Sequence, residues 1–526
     1  MTSQKEHHSN TLPWRELPQS QVILIPDKED GTIDLAFLQQ ELKTHSEENK
    51  KLGDKKKTLL VGCFMAASNI TGLLQDDLTI TSILHQYGAL AFWDYATAAP
   101  HTYIDVNPKV IGDVGGLCRK DAIYFSCHKF VGGVQTPGIL IAKKKLFTND
   151  VPDGAGGGTV LFVTNDDHRY LKDPEHREEG GTPAIVGSIR AGLAVQLKQS
   201  VGIDYIVRRE HELMKLARQQ LESSPNFVLL GNGFVDGDHH SLSILSFLIK
   251  APSDSRKGNA YLHHNYVSVL LNDMFGIQCR GGCACAGPYA ITLLGIPNEL
   301  VNQYLSQLDS EDDESNQSYL RRGNSDSSMF EVLKPGFTRL NLAWSLSNEE
   351  LNFVLDALLF IAEHGWKMMP QYTFNTETGD WRHHTNQVLP KRQLLGNISY
   401  AEGKFTYPST ITKDVQEHSD DDGYSGDVDD YTFENVMLEA EQLISEASEA
   451  AQKIHIPDQR ILFEGQAAML RWMILPIEAK EALVLKSTFD NFDKITAPFT
   501  PKTFKISEES FNYDDNNSTT ESDEFR

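Results

Sequence analysis

One lysine stands where covalent chemistry could begin. The apolar run 123–125 ends in Ser126, His128 and Lys129, just before the glycines at 132–133. Desolvating an ammonium beside a buried strand is costly unless the charge is paired or removed, and Schiff-base formation removes it. A surface lysine at a strand end is the alternative, and a short motif alone does not exclude it. Lys129 is therefore a candidate covalent anchor for a cofactor.

Two more polar side chains follow apolar strands. Asn69 comes after the run 59–65, and Asp94 follows the run 88–93. Strand, loop, helix and strand alternate here, which predicts a parallel sheet whose functional residues gather at the carboxyl ends of the strands. Asn69, Asp94 and Lys129 should then lie together.

Pyridoxal phosphate needs the residue types found at these strand ends. Its aldehyde needs an amine, its ring nitrogen needs a carboxylate, and its phosphate needs hydroxyl, imidazole and N–H donors. Lys129, Asp94, and the pair Ser126 and His128 supply one of each. We therefore expect one site that can use all of them.

The elements that must position these residues are predicted from hydrophobic periodicity. Predicted strands cover 22–26, 59–65, 88–93, 138–142, 241–249 and 340–344, and a hairpin is predicted at 373–381. Predicted helices begin near 35, cover 80–87, 203–221, 267–275 and 433–454, and run from the 178–183 segment to about 197. The fold class is α/β, with a mostly parallel sheet, flanking helices and a smaller α+β part.

Three domains are predicted along the 526 residues. Residues 1–200 form a large cofactor-binding domain and residues 201–366 a small domain, in which 310–328 is rich in Asp, Ser and Asn and is expected to be disordered. Residues 367–526 form an extension with an acidic linker at 416–430 and a polar tail at 514–526. Its role is left open between interaction and capping.

Charge and cysteine content exclude several classes of protein. A formal net charge of −25 disfavours binding to nucleic acid and to anionic membranes. The longest apolar runs fall short of the roughly 20 residues that cross a bilayer, and residues 1–10 carry no apolar signal core. Six cysteines, three of them within 279–285, do not form a secreted disulfide framework. A reducing, cytoplasmic location is predicted.

Taken together, the ordered motifs are more specific than any one of them. The motifs are Glu6-His7-His8-Ser9-Asn10 with Pro13-Trp14, Ser68-Asn69 with Gly72, Asp94 with Ala96, Ser126-x-His128-Lys129, Gly181-Thr182-Pro183, Arg280-x-Gly282-x-x-Cys285-Ala286 and Arg339. The chain resembles the class V, fold type I pyridoxal phosphate enzymes over roughly residues 5–365. Within that family it is most similar to the cysteine desulfurase and selenocysteine lyase group.

The resemblance implies a role for each residue around the cofactor. His7 would stack on the pyridine ring, and Asn69 would contact the cofactor hydroxyl or the substrate. Asp94 would pair with the ring nitrogen, and Lys129 would hold the cofactor covalently and later move protons. Ser126 and His128 would hold the phosphate.

The resemblance also implies a substrate, a nucleophile and a second subunit. Arg339 and Arg280 would bind the carboxylate of an amino-acid substrate, a task suited to a bidentate guanidinium. Cys285 would attack the sulfur of cysteine and carry it as a persulfide, helped by Arg280, for transfer to a sulfur-acceptor protein. Thr182 would reach the phosphate of a neighbouring subunit, which implies a homodimer with shared sites.

Alternatives stay open for the cysteines and for the reaction. Cys279, Cys283 and Cys285 could be a structural cluster, whereas a metal site is disfavoured because they lack a Cys-x-x-Cys spacing. The reaction could instead be that of a class V aminotransferase, lyase or epimerase on another amino acid.

Two departures from the family bear on activity. Thr97 stands where the family usually has a glutamine that bonds the cofactor hydroxyl, and threonine is too short for that bond without a water. The chain also begins at the stacking histidine, whereas the family has a preceding segment with a glycine-threonine phosphate loop. The expectation is therefore an amino-terminally incomplete chain, with a truncated, non-catalytic relative as the third alternative.

Overall fold

The structure is a computed structural model that describes most of the chain. It describes residues 1–28, 30–52, 57–113, 115–231, 241–252, 260–308, 330–385, 432–484 and 495–503. The predicted disordered insertion, acidic linker and polar tail lie outside the described residues. No described helix is long and apolar enough to cross a membrane.

A four-stranded sheet organises the amino-terminal half, which we call the sheet half (residues 1–201). Its elements are β1 (Thr2–Ser3), α1 (His8–Glu16), β2 (Leu24–Ile25), α2 (Leu35–Lys51), β3 (Val61–Met65), α3 (Asp77–Gln86), β4 (Leu90–Asp94), β5 (Ala122–Ser126), β6 (Gly138–Ala142), β7 (Val160–Val163), β8 (His168–Tyr170), α4 (Pro174–Arg177) and α5 (Ile185–Val201). The strand order is β3-β4-β5-β6, with β3, β4 and β5 parallel and β6 antiparallel to β5. The predicted mostly parallel sheet is confirmed.

Local sequence explains where the helices of the sheet half begin. Asp34 caps α2 by accepting hydrogen bonds from the N–H groups of Ala36 and Phe37, and Asp76 caps α3 in the same way. Leu38 and Leu42, one helical turn apart, bury the inner face of α2. The inner faces of these helices therefore pack into the core of the sheet half.

The second half (residues 202–503) is built on an antiparallel sheet. We call it the small half because it contains the predicted small domain. Its elements are α6 (Ile203–Leu221), β9 (Phe227–Leu229), β10 (Ile244–Ile249), α7 (His264–Phe275), β11 (Arg280–Gly282), α8 (Gly287–Leu294), α9 (Asn298–Leu308), β12 (Phe337–Asn341), α10 (Asn348–Met368), β13 (Tyr372–Phe374), β14 (Trp381–His383), α11 (Phe433–Lys453), α12 (Gln466–Leu470) and α13 (Pro476–Val484). The strand order is β11-β12-β10-β9. The predicted hairpin is confirmed as β13 and β14.

The described part of the extension shares its hydrophobic cores with the small sheet. Trp472 is fully buried, and its indole N–H donates to the carbonyl of Leu333 at 3.0 Å. Tyr261 forms a parallel bridge with Met473 and stacks on Phe499. The extension thus completes the small half instead of forming a separate core.

Several predicted boundaries differ from the structure by two residues or more, and two of them show why. The strand predicted at 340–344 lies at Phe337–Asn341, and the helix predicted to open at 178–183 begins at Ile185, after the short α4. The apolar alternation around β12 continues past Asn341, so the alternation does not mark where the strand ends. Pairing does, because Phe337 lies opposite Gly282 and Asn341 lies opposite Ile244.

Candidate active site

The parallel strands bring the predicted acid and lysine to one edge of the sheet. Asp94 is the last residue of β4 and pairs in register with Tyr124 of β5. Lys129 ends the single helical turn Cys127–Lys129 that follows β5. Asn69 follows β3. The predicted convergence at the carboxyl ends is what adjacent parallel strands produce.

The ammonium of Lys129 lies among other charged groups. Lys129 is exposed as a residue, but partial loss of water around the ammonium is the largest cause that lowers its pKa. Arg339 and Arg280 lower this pKa further, whereas Asp94 raises it. A lysine with a lowered pKa is more often neutral, which is the form that attacks a carbonyl carbon.

Asp94 is held in place by its own backbone turn. Its Oδ1 accepts a hydrogen bond from the N–H of Ala96 at 2.7 Å. Burial raises the pKa of Asp94, while that hydrogen bond and Lys129 act in the opposite direction. A half-buried carboxylate beside a lysine can pair with a cationic ring nitrogen.

His7 is positioned by helix α1. It is the residue before the helix, and its Nδ1 accepts a hydrogen bond from the N–H of Ser9 at 3.1 Å. Burial lowers the pKa of His7, and Lys129 and the two site arginines add to the effect. The imidazole is therefore neutral near pH 7 and suited to stack on an aromatic ring.

Two arginines face each other across neighbouring strands. Arg280 of β11 and Arg339 of β12 are register partners, so their side chains share one face of the sheet. Like charges placed directly opposite are destabilising, and burial together with Arg280 lowers the pKa of Arg339. Arg339 Nη1 donates to the carbonyl of Asn69 at 2.8 Å, which ties this pair to the sheet half. The pair suits an anion with two oxygens.

Cys285 lies on a strained turn beside these arginines. Ala284 and Cys285 both have positive φ, at 53° and 58°, and the turn closes with a hydrogen bond from Ala286 N–H to the Cys283 carbonyl at 3.2 Å. Two non-glycine residues in this region cost roughly 1–2 kcal/mol each. Arg280 Nη2 approaches the sulfur of Cys285 at 3.3 Å and can stabilise negative charge on it.

Hydrogen bonds from the sheet half hold this turn. Asn69 Nδ2 donates to the carbonyl of Ala284 at 2.7 Å, and the N–H of His8 donates to the carbonyl of Cys285 at 2.8 Å. His8 Nε2 also accepts from the N–H of Gly287 at 2.9 Å. His8 had no predicted role, although its place beside His7 in the motif was a usable signal.

One buried acceptor at the site lacks a partner. Asn69 is 9% exposed, and its Oδ1 has no hydrogen bond to any of the described residues. Its Nδ2 is fixed on Ala284, so the free oxygen is held in place. An unpaired buried acceptor is expensive, and a ligand hydroxyl or ammonium that donates to it would remove the cost.

The structure brings seven of the predicted site residues together, and the role of each predicted site residue stays a prediction. Hydrogen bonds and electrostatic interactions link the members of the gathered group, which are His7, Asn69, Asp94, Lys129, Arg280, Cys285 and Arg339. Ser126 and Thr97 are half-buried, whereas His128 and Thr182 are exposed. Among the described residues, no three His, Cys, Asp or Glu side chains are grouped as metal ligands.

A family model for class V aminotransferases matches residues 1–297. The chain belongs to the class V aminotransferase family. Members of this family use pyridoxal phosphate. The family assignment predicted from the motifs is confirmed.

Curated relatives place this class V chain near the cysteine desulfurases. A probable cysteine desulfurase of Halalkalibacterium halodurans is 30% identical over 286 residues, which cover 54% of this chain and 60% of the relative. A cysteine desulfurase of Escherichia coli is 30% identical over 291 residues, with 54% and 61% covered. The chain thus spans about 60% of the length of these relatives.

A solved structure supports the fold. The apo cysteine desulfurase from Thermococcus onnurineus NA1 aligns with a TM-score of 0.50 at 22% identity, and the match covers 69% of this chain and 72% of that one. At that identity the likeness concerns the fold alone, and it agrees with the predicted fold type I architecture.

Proposed function

We propose that this chain is a pyridoxal phosphate-dependent enzyme that removes sulfur from cysteine. The observation that carries the proposal is the position of Cys285, whose sulfur is hydrogen-bonded by Arg280 in the same charged cluster as Lys129. The closeness of the Cys285 thiol to this cluster supports a contact between the thiol and the side chain of a substrate bound there.

The residues of the site fit pyridoxal phosphate. Lys129 would anchor it, Asp94 would pair with its ring nitrogen, and His7 would stack on its ring. Asn69 Oδ1, a buried acceptor without a partner, would accept from its hydroxyl or from the substrate ammonium. Ser126, His128 and a partner's Thr182 are proposed for the phosphate, and Thr97 replaces a longer side chain near the hydroxyl.

The mechanism follows from what each side chain can hold. Arg339 and Arg280 would bind the substrate carboxylate, which relieves their mutual repulsion. When bound, pyridoxal phosphate would supply the electron sink for bond cleavage next to the amino group. The neutral amine of Lys129 would take and return protons at the substrate carbon.

Cys285 would carry out the sulfur transfer. Its thiolate would attack the substrate sulfur, so that a sulfur–sulfur bond forms while the carbon–sulfur bond breaks. Cysteine becomes alanine, Cys285 becomes a persulfide, and an acceptor thiol later removes the outer sulfur. No external oxidant is needed.

Two measurements test the proposal. Added pyridoxal phosphate should give a visible absorbance band in the wild-type protein that Lys129→Ala lacks. Cysteine turnover, read as alanine and persulfide formed, should fall at least about 100-fold in Cys285→Ser, because the nucleophile is lost. Cys283→Ser, in the same turn, is the matched control and should keep most turnover.

Contrary results separate the alternatives. If the wild-type protein never acquires the band, the proposed binding of pyridoxal phosphate is wrong, and the alternative of a truncated, non-catalytic relative remains. A band together with unchanged cysteine turnover in Cys285→Ser contradicts the desulfurase and favours another class V reaction, which a screen of amino acids for spectral change would identify.

We also propose that two copies of the chain form a homodimer with shared sites in the cytoplasm. Support comes from α5, where Ile185, Val186, Ile189 and Leu193 are each about 60–70% exposed, next to the exposed Thr182. All six cysteines are unpaired, as expected in a reducing compartment. Sedimentation of the purified protein and fractionation of cells test these two points.

A further inference from the structure

A buried carboxyl group, that of Glu6, interacts electrostatically with Asp94, and the proposed mechanism leaves it unused. Glu6 is 1% exposed. Its Oε1 accepts from Ser3 Oγ at 2.6 Å, and its Oε2 accepts from Asn10 Nδ2 at 2.7 Å. The backbone N–H of Met65 also donates to it. Met65 is the register partner of Asp94, so Glu6 is bonded to the strand position beside the cofactor acid.

A second route links Glu6 to the other neighbour of Asp94. Asn10 Oδ1 accepts from the sulfur of Cys63 at 3.0 Å and from the hydroxyl of Tyr124. Tyr124 is the register partner of Asp94 on β5. The two donors fix the orientation of the Asn10 amide, so its Nδ2 must point at Glu6. Asp94 thus lies between Met65, which bonds to Glu6 directly, and Tyr124, which is linked to Glu6 through Asn10.

The charge on Glu6 is poorly compensated by the groups around it. Burial raises its pKa to about 7, because the three donors offset the lost hydration only in part, and Asp94 raises it further. The titratable groups that face it are Lys5, Cys63, Asp94 and Tyr124. The ammonium of Lys5 is bonded to Asp27 and to the carbonyl of Gly31, so it is not a direct partner of Glu6.

We infer that Glu6 is a positioning residue that couples cofactor loading to the release of a proton. The inference rests on the proposed function. A cationic ring nitrogen paired with Asp94 neutralises the charge that disfavours an ionised Glu6, so loading drives the Glu6 proton into solvent. Linkage is reciprocal, so ionised Glu6 strengthens the hold on the cationic ring, and affinity for the cofactor rises as Glu6 ionises.

Calorimetry can measure the proton that the protein releases when the cofactor binds. Pyridoxal phosphate is titrated into the cofactor-free full chain near pH 7 in buffers of different ionisation enthalpy, which gives the protons released per cofactor bound. Wild-type protein should release a measurable fraction of a proton more than Glu6→Gln, whose neutral amide cannot release one. Glu210→Gln is the matched control, because Glu210 is buried and bonded to His101 at 2.6 Å, and it should behave as wild type.

The outcomes separate the coupling from the proposed function. Equal proton release by wild type and Glu6→Gln, with the cofactor band present in both, overturns the coupling alone. A wild-type protein that does not bind the cofactor contradicts the proposed function and the coupling with it. Glu6→Asp, which keeps an acid, should restore part of the extra release.

Infrared spectroscopy of the wild-type protein keeps the test independent of how Glu6→Gln folds. The cofactor-free protein should contain a buried protonated carboxyl whose C=O band disappears with a midpoint near pH 7, as the pKa of about 7 for Glu6 requires. Loading should move that midpoint to lower pH. A band that is absent near neutrality, or a midpoint that loading does not move, overturns the inference.

Discussion

The two halves of the molecule differ in how completely they cover their apolar surface. The sheet half leaves large side chains exposed on β7 and α5, among them Leu161, Phe162 and Ile189. In the small half, the extension packs on the small sheet, and its Trp472 and Ile474 are fully buried. Exposed apolar patches mark interaction sites in soluble proteins. The small half therefore completes its own core, whereas the sheet half presents an apolar surface that suits another polypeptide.

The largest expected effect is the loss of the tryptophan that joins the extension to the small half. Trp472→Ala leaves a cavity beside His263 and removes the hydrogen bond to the Leu333 carbonyl. We expect a loss of about 3–5 kcal/mol in the free energy of unfolding, measured by urea denaturation. A loss below about 1 kcal/mol would mean that the extension is not part of this core.

Acid should weaken the small half through its buried histidines. His264 is buried, which lowers its pKa to about 4, and burial lowers the pKa of the neighbouring His263 as well. Because the folded-state pKa lies below the ordinary value of 6.5, the neutral imidazole stabilises the fold above pH 6.5, and this contribution is lost as the pH falls toward about 4. The loss for His264 is about 3 kcal/mol.

Urea denaturation at a series of pH values tests the acid effect, with tryptophan fluorescence as the readout. His264→Gln has no titrating group there and should lose less stability between pH 6.5 and 4 than wild type. A wild-type stability that stays constant across this interval would contradict the expectation.

A smaller effect on stability is expected at the amino ends of the parallel strands in the sheet half. Asp121 is 1% exposed and accepts from Ala91 N–H at 3.0 Å, while His85 and Lys143 bond to its two oxygens at 2.7 and 2.9 Å. Asp121→Asn removes the charge but keeps the shape, so the free energy of unfolding should fall by about 1–3 kcal/mol. Cofactor absorbance should not change, since the carboxyl edge is untouched. If Asp121→Asn loses the cofactor band but keeps its stability, the expectation that Asp121 supports stability and not cofactor binding is wrong.

The smallest effect on stability should come from the exposed helix. Ile189→Ser on α5 removes an apolar side chain that is 62% exposed, so unfolding of the single chain should change by less than about 0.5 kcal/mol. Self-association, measured by sedimentation, should weaken. The buried Ala191 on the same helix serves as the contrast, because Ala191→Ser should cost stability without a specific effect on association. If Ile189→Ser leaves self-association unchanged, α5 is not part of the dimer interface.

Local patterns predicted much of the fold, and non-local pairing supplied the rest. Helix α6 was predicted with its observed ends, because its amphipathic run starts after Gly202, whose φ of 91° suits glycine. The meeting of Asp94 and Lys129 followed from the order of parallel strands. The opposition of Arg280 and Arg339 could not be predicted, because strand register between distant segments sets it. Trp472 reaches Leu333 across 139 residues, which no local pattern encodes.

The turn that carries Cys285 has a consequence for delivery of sulfur. His8 holds one carbonyl of that turn and Asn69 holds the other, so the backbone beneath the thiol is pinned from two sides. Because the backbone of the turn is held, the sulfur of Cys285 can move only by changing its side-chain rotamer. The turn therefore holds the sulfur of Cys285 close to one position. Under the proposed function, an acceptor thiol would have to reach this turn itself, because the hydrogen bonds at Ala284 and Cys285 keep the turn from moving outward to meet it.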